Sequence, residues 1–338
     1  MTEFGWFMSL EEFSPNECIE QLDVAADAGF DTAWVNDHFH PWFDHKEDGS
    51  PANGGNCWEW MPAALERTED MRIGTGVSAL IHRYHPGNVA HQLATLCEMY
   101  PDRVFLGLGT GEALNESPLG LPMPEWGECA KRTAEGIRMI RTLFEEEFVD
   151  FEGRFWELDG ANLYTGPDEA PPIWIAANGP TAARMAGDLG DGFLTVFESP
   201  ERLDEELYPA IRDGVAKSER NDDFDEVPKC IHIHVSYDPD SYEAAMEPCL
   251  PWRGTQVERF FYEDVADPRV IQAEGEELDP EVLRENPGFV VTTDFEDVVA
   301  ETRKYVEAGF DEIVYQSHCP DQELFANLVA ERIMPEFA

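Results

Sequence analysis

The sequence predicts an α/β fold, a (β/α)8 barrel, on three observations. Short apolar runs and amphipathic helical stretches alternate about eight times along the chain. No shift in composition marks a linker within the 338 residues. Polar and aromatic residues crowd directly after the second, third, fourth, fifth and last strands, which a barrel would gather at its C-terminal mouth, where catalytic groups sit. A doubly wound sheet obeys the same alternation and is the alternative. The chain is read as one domain, residues 1–338, decorated by a hairpin at 148–158 and interrupted late by an insertion at 238–287.

Phe4–Ser9 reads as the first strand, followed by a helix that Ser14 caps at Pro15 and Gly29 ends. Thr32–Asn36 is the second strand and runs straight into Asp37-His38-Phe39-His40-Pro41-Trp42. A Gly-rich loop at Asn53–Asn56 leads to a helix over Glu59–Glu69, a third strand over Arg72–Val77 and a helix over His91–Tyr100. Val104–Leu108 is the fourth strand, and Trp126–Glu147 a long helix. Phe148–Leu158 alternates around a glycine turn, as hairpins do. Ile173–Ala176, Gly192–Val196 and Ile231–Ser236 are strands; the run Ala177-Asn178-Gly179-Pro180-Thr181 with a helix to Leu189 follows the first, and a helix from Pro200 to Val215 follows the second. Residues 238–287 read as irregular and acid-rich. The pattern closes with Phe289–Thr292, a helix over Phe295–Ala308, the strand Glu312–Tyr315 and a terminal helix after Asp321.

The fourth strand changes character in its middle, where Gly107, Gly109 and Gly111 replace bulky side chains. Glycine admits positive φ and lets a neighbour lie against the backbone. Glu112 and Asn115 follow, three apart and therefore on one face of any helix that starts at Ala113. The spacing fits neither the dinucleotide fingerprint nor the Walker loop.

Seventy acidic against 23 basic residues give a net charge of −47, and only five of the bases are lysine. Self-repulsion on this scale is tolerable where salt screens it, so the chain is expected to be halophilic. The acids are spread among apolar segments, which excludes a disordered acidic tail. Without a basic stripe, nucleic acid is not an expected partner. No apolar run reaches the roughly 20 residues that cross a bilayer, and the acidic start Met1-Thr2-Glu3 does not resemble a signal peptide. Seven scattered cysteines without a Cys-x-x-Cys motif suit reduced thiols and a cytoplasmic location.

His38 and Glu112 are the titratable groups expected in the mouth, a base and an acid for proton transfer. A capping or core role for His38 and plain rim packing for Trp42 are the alternatives. His38-x-His40, His232-x-His234 and His318 also raise a zinc hydrolase, although His232 and His234 fall inside a strand rather than at its mouth.

Asn36-Asp37-His38-Phe39-His40-Pro41-Trp42, Gly74-Thr75-Gly76-Val77, the run Tyr100 to Glu116 with its Gly-Thr-Gly-Glu-Ala-Leu-Asn-Glu, and Ala176-Ala177-Asn178-Gly179-Pro180 carry a resemblance. The chain resembles the luciferase-like flavin and deazaflavin barrel superfamily, nearest to its branch of coenzyme F420-dependent glucose-6-phosphate and alcohol dehydrogenases. The resemblance implies coenzyme F420 as cofactor, a homodimer, and a sugar or alcohol as small-molecule substrate. Asp37 would hydrogen-bond the deazaflavin, His38 accept the substrate hydroxyl proton, Trp42 line the pocket, and Glu112 protonate the reduced ring. Asn115 would hold substrate or ring, and Gly76-Val77 would be a cis peptide behind the ring, with Ala79 beside it. Thr110, Gly111, Asn178, Gly179, Thr181 and Ala182 would hold the cofactor's tail and phosphate, as backbone N–H groups at a helix start can. An FMN-dependent monooxygenase of the same superfamily is the runner-up.

One departure bears on the substrate. The sugar-phosphate members clamp their substrate's phosphate with three cations, and the matching positions here are Ser199, a residue near Tyr262, and Gly288. None is basic, and Glu198 adjoins Ser199; only Arg259 or Arg284 could swing in. An unphosphorylated sugar or a secondary alcohol is therefore expected. The charge makes a separate prediction: lowering KCl from about 2 M to about 0.1 M will lower the melting temperature steadily, and a salt-independent melting curve would refute the screening argument.

Overall fold

The computed structural model describes residues 2–220 and 223–337. Eight parallel strands form its centre: β1 (Glu3–Met8), β2 (Thr32–Val35), β3 (Arg72–Thr75), β4 (Val104–Gly109), β5 (Ile173–Ala176), β6 (Gly192–Val196), β7 (Lys229–Tyr237) and β8 (Glu312–Ser317). Each pairs with the next in chain order, and β8 returns to β1 with Trp6 opposite Tyr315. That closure makes the sheet a barrel and rules out the doubly wound alternative.

Two local features depart from the expected strands. The third strand stops at Thr75, the Gly76–Val77 peptide is cis, and Ser78–Ala79 then pairs with Leu108 and Gly109 of β4. Phe289–Thr292 pairs with His234–Tyr237, extending the β7 edge beyond where β6 leaves it. The helix after β1 spans Pro15–Ala28 with a full Ser14–Glu17 capping box, and Gly29 ends it at φ +90°. The hairpin is Val149–Glu152 paired with Glu157–Ala161, three residues longer at its end than the sequence pattern showed.

Phe7, Trp34, Phe105, Trp174, Leu194, Cys230 and Val314 fill the barrel interior as an aromatic plug. A second apolar cluster lies above the mouth. It joins Trp42 and Phe43 from the β2 loop to Leu114, to Phe289 and Val291, and to Met246, Cys249, Trp252, Phe260 and Ile271 of the insertion. The insertion is thus not irregular, as its polar composition suggested. It is a string of short helices, Tyr242–Met246, Glu247–Gln256, Glu258–Phe261, Pro268–Glu276 and Pro280–Glu285, with an apolar side of its own. Gln272 Oε1 accepts the backbone N–H groups of Asp44 and His45, the Ala266 carbonyl lies 2.7 Å from His40 Nδ1, and Asp264 accepts from Ser117. The insertion is thereby tied to the loops after both β2 and β4.

At the opposite end of the barrel Glu312 is buried, accepting hydrogen bonds from Thr32 and from Trp34 Nε1 at 2.8 Å. Burial raises its carboxyl to about 7, against the smaller lowering by these two donors. The folded state thus holds this proton more tightly than the unfolded chain. Its contribution to stability is whole below pH 4.5 and is lost as the pH rises through about 7. Glu312→Gln keeps the acceptor and removes the titration. Denaturant unfolding in concentrated KCl should therefore show wild type losing roughly 1–3 kcal/mol more than the variant between about pH 5 and pH 8; parallel pH profiles would refute the assignment.

Candidate active site

The site is organised by Glu11, in the turn that follows β1. Its carboxylate is 2% exposed and faces three groups. Asn36 Nδ2 donates to Oε1 at 3.0 Å, His38 Nδ1 lies 3.1 Å from the same oxygen, and the Trp42 backbone N–H donates to Oε2 at 2.9 Å. Asn36 Oδ1 accepts the Leu10 N–H at 2.8 Å, so the loops after β1 and β2 lock each other. With Nδ1 held, the imidazole turns Nε2 toward Glu112 Oε2, 3.4 Å away.

Glu112 reaches that position because β4 ends in glycines. A Cβ on Gly107 would overlap the Thr75 carbonyl, and one on Gly109 would come within 2.8 Å of Val77 Cγ2. The close neighbour these glycines admit is therefore the chain's own Thr75–Val77 bulge. Gly111, at φ +82°, then turns the backbone into the short helix Ala113–Glu116, with Glu112 as its first flanking residue. Asn115 Oδ1 accepts the Phe39 N–H at 2.9 Å, and the Leu114 carbonyl accepts the His40 N–H at 3.2 Å. His38 and Glu112 are thus held on two loops that hydrogen-bond each other.

The electrostatics follow from this confinement. Burial pulls the His38 imidazolium down, but Glu11, Glu112 and Asp37 together outweigh it and raise His38 to about 9. Burial raises Glu112, with His38 lowering it in part. Glu112 Oε2 is itself buried without a hydrogen bond. The two groups form a coupled pair across which one proton can sit on Nε2 or on Oε2.

Of the other expected residues, Trp42 is buried and packs on Phe261 with ring centroids 5.0 Å apart, so the rim packing offered as its alternative does exist. Asp37 is 1% exposed, and its carboxylate takes Ser78, Tyr84 OH at 3.1 Å and Arg83 Nη2 at 3.1 Å. Ala79 is buried beside Ile81, next to Gly111. Thr110 and Gly111 are half-buried at the end of β4. Across the mouth, Asn178 donates from Nδ2 to the Val196 carbonyl at 3.0 Å. Gly179 opens the helix Pro180–Leu189 without any side-chain cap, which leaves the N–H groups of the exposed Thr181 and the buried Ala182 for an outside acceptor. Ser199 instead caps its own helix, accepting the Arg202 N–H at 3.2 Å.

Ser199 also lines a cavity of about 450 Å³ with Arg284, Asn286, Phe289, Glu301 and Lys304. Its cations are already paired, Arg284 with Glu281 at 3.0 Å and Lys304 with Glu301 at 2.7 Å. Arg259 is held by Glu263 and Glu274. The Gly288 N–H donates to Glu301 at 2.9 Å, so a carboxylate sits there too. His40, turned to the Ala266 carbonyl, does not meet His232 or His234, and no three His, Cys, Asp or Glu side chains form a metal cage among the described residues.

Glu11 was overlooked in the sequence, although two adjacent acids directly after an apolar first strand are the same kind of signal that drew attention to Asp37-His38. Ser78, Arg83 and Tyr84 carried no motif, and only the bulge brings them to Asp37.

The closed parallel barrel thus carries an imidazole–carboxyl pair at its mouth and an uncapped helix start at Gly179. The chain matches the luciferase-like monooxygenase family over residues 2–317 and belongs to it. It is 38% identical over 333 residues to the F420-dependent glucose-6-phosphate dehydrogenase of Microbacterium testaceum, covering 98% of this chain and 96% of that protein. It is 37% identical over 337 residues to the enzyme of the same name from Mycobacterium avium, covering 98% and 97%. An F420-dependent secondary alcohol dehydrogenase in complex with an F420-acetone adduct superposes with a TM-score of 0.92 at 34% identity, covering 100% of this chain and 99% of that one.

Glu11→Gln tests the electrostatics. In the free wild-type protein His38 will titrate near about 9. In the variant the midpoint will fall by roughly one unit or more, read from the imidazole carbon-bound protons by NMR. An unmoved midpoint would show that Glu11 does not set the charge of His38.

Proposed function

We propose that this chain transfers a hydride from the carbinol carbon of an unphosphorylated sugar or a secondary alcohol to coenzyme F420. That it is an F420-dependent oxidoreductase acting on a CH–OH group rests on its family, its relatives and the likeness to the alcohol dehydrogenase. The observation that carries the chemistry is His38 Nε2 opposite Glu112 Oε2 at the barrel mouth.

The site fits the cofactor on its own terms: a buried Glu112 oxygen without a hydrogen bond, an uncapped helix start at Gly179, and a bulge at Gly76–Val77 between them and Asp37. Asp37, Gly76, Val77, Ala79 and Asn115 would border its ring. Thr110, Gly111, Asn178, Gly179, Thr181 and Ala182 would take its tail. Bound F420 supplies the hydride acceptor, and the protein supplies orientation and proton management. With the pair's shared proton on Glu112 Oε2, His38 Nε2 is free to take the hydroxyl proton while Glu11 holds Nδ1. Glu112 carries the proton destined for the reduced product. Because the two atoms face each other, the proton that His38 gains can return directly to Glu112 Oε2, which resets the pair without solvent. Trp42 and the insertion at 238–287, acting as a lid, keep water from this exchange.

The relatives' names point to glucose 6-phosphate. The preference for an unphosphorylated substrate is supported by Ser199 and Gly288 at two clamp positions and by the pairing of Arg259, Arg284 and Lys304 with carboxylates. A phosphate would have to break those pairs and approach Glu301. The homodimer, the cytoplasmic location and the working cytosol rich in salt belong to the same proposal.

In about 2 M KCl, oxidised F420 should bleach on addition of glucose or isopropanol, with glucose 6-phosphate at least about tenfold poorer in kcat/KM. His38→Asn should lower kcat by roughly 10²–10⁴. Efficient turnover of glucose 6-phosphate would overturn the substrate class. A yellow protein that consumes oxygen and ignores F420 would move the chain to the FMN-dependent branch.

A further inference from the structure

The wall of the mouth opposite His38 carries a second buried array that the proton exchange does not use. Cys230 and Val314 belong to the barrel plug, so His232, His234 and Ser236 on β7, with Gln316 on β8 and His318 just beyond it, share that inward face. His232 stacks on Phe7 with centroids 4.1 Å apart, and His234 stacks on His232 at 4.7 Å. His232 therefore rests on the plug and His234 on His232. Phe197, Phe289 and Trp252 surround His234 from the side of the cluster that contains Trp42.

His234 Nδ1 lies 2.9 Å from His318 Nε2, and His318 Nδ1 lies 2.8 Å from Glu12 Oε2. Glu12, His234 and His318 are all at most 5% exposed. A ring nitrogen facing a carboxylate oxygen is the donor, so His318 Nδ1 carries a hydrogen. In the tautomer with its single hydrogen on Nδ1, His318 accepts at Nε2 and His234 Nδ1 is the donor. In that arrangement the lone pair of His234 is on Nε2, the nitrogen not engaged by His318. His232 Nε2 and Gln316 Nε2 are buried without partners beside it. Burial drives His232 down to about 3 and His234 well below the usual range, so these two rings stay uncharged.

We propose that His234 is a specificity-determining residue whose Nε2 accepts a substrate hydroxyl other than the one oxidised, and that Glu12 and His318 are positioning residues holding its tautomer. The inference rests on the dehydrogenase reading above and narrows it to a neutral polyhydroxylated substrate, a sugar rather than a simple alcohol. A one-hydroxyl alcohol leaves the His234 lone pair without a substrate donor, whereas a second hydroxyl supplies one. A phosphate oxygen, itself only an acceptor, would face that lone pair unfavourably.

The test is the ratio of kcat/KM for glucose to kcat/KM for isopropanol in F420 reduction by the intact enzyme. His234→Phe keeps the stacked ring and removes Nε2; the ratio should fall at least about tenfold, with the loss mainly in KM for glucose. Glu12→Leu should move the ratio the same way, and Glu12→Gln, which keeps an acceptor for His318, should restore most of it. ¹⁵N spectra of the wild-type imidazoles give an answer independent of any variant's folding: His234 should be the Nδ1–H tautomer, and its Nε2 signal should shift when glucose is added. A ratio within about threefold of wild type in His234→Phe, or an Nε2–H tautomer, overturns the inference while leaving the dehydrogenase reading intact. A wild type that reduces F420 with neither substrate overturns both.

Discussion

The site hangs on the carboxylate of Glu11. It gathers the side chain of Asn36, the imidazole of His38 and the backbone of Trp42, three groups spread along the loop that leaves β2. A carboxylate with several donors is a rigid anchor, and withdrawing it would leave each donor buried and unpaired. Because Glu11 fixes Nδ1, the other nitrogen of His38 has one place to point, toward Glu112. The next residue, Glu12, does the same for His318 on the far wall. Two adjacent acids in one turn thus orient imidazoles on both sides of the mouth.

Packing sets the second constraint. The Thr75–Val77 bulge can press against β4 only because Gly107 and Gly109 present no side chain to it. The same bulge carries Ser78 to Asp37, and Arg83 and Tyr84 complete the group around that carboxylate. Glycines that looked like room for a ligand are room for the chain itself, and the ligand-facing consequence is indirect: they let Glu112 leave the strand at the right height.

Charge is distributed by a different logic. The acidic excess lies on the outside, where single ion pairs contribute little and are screened by salt. Yet the few cations near the mouth are all engaged: Arg202 with Glu198, Arg259 with Glu274, Arg284 with Glu281 and Lys304 with Glu301. Each of these four cations among the described residues is therefore already neutralised by a carboxylate. The excess of acid on the surface and the pairing of these four cations are compatible consequences of one composition.

The barrel was legible in the sequence because strand and helix periodicity is local, and a closed parallel sheet is the simplest way to bury eight apolar strands joined by helices. His38 and Glu112 were legible because they follow strands and their neighbours have a recognisable pattern. Glu11 was not, since an acid in a turn acquires meaning only from what faces it, and Asn36, His38 and Trp42 face it from 25 or more residues away. The insertion was read as irregular because its apolar residues recur at no single period; its order comes from packing on Trp42, Phe43 and Leu114. Local pattern and composition, which depend on neighbours along the chain, determined the fold class, the acidic surface and the choice of His38 and Glu112. The partners of that pair, the use of the glycines and the histidine array were decided only by tertiary contact, because hydrogen bonds and close packing join residues that the sequence keeps far apart.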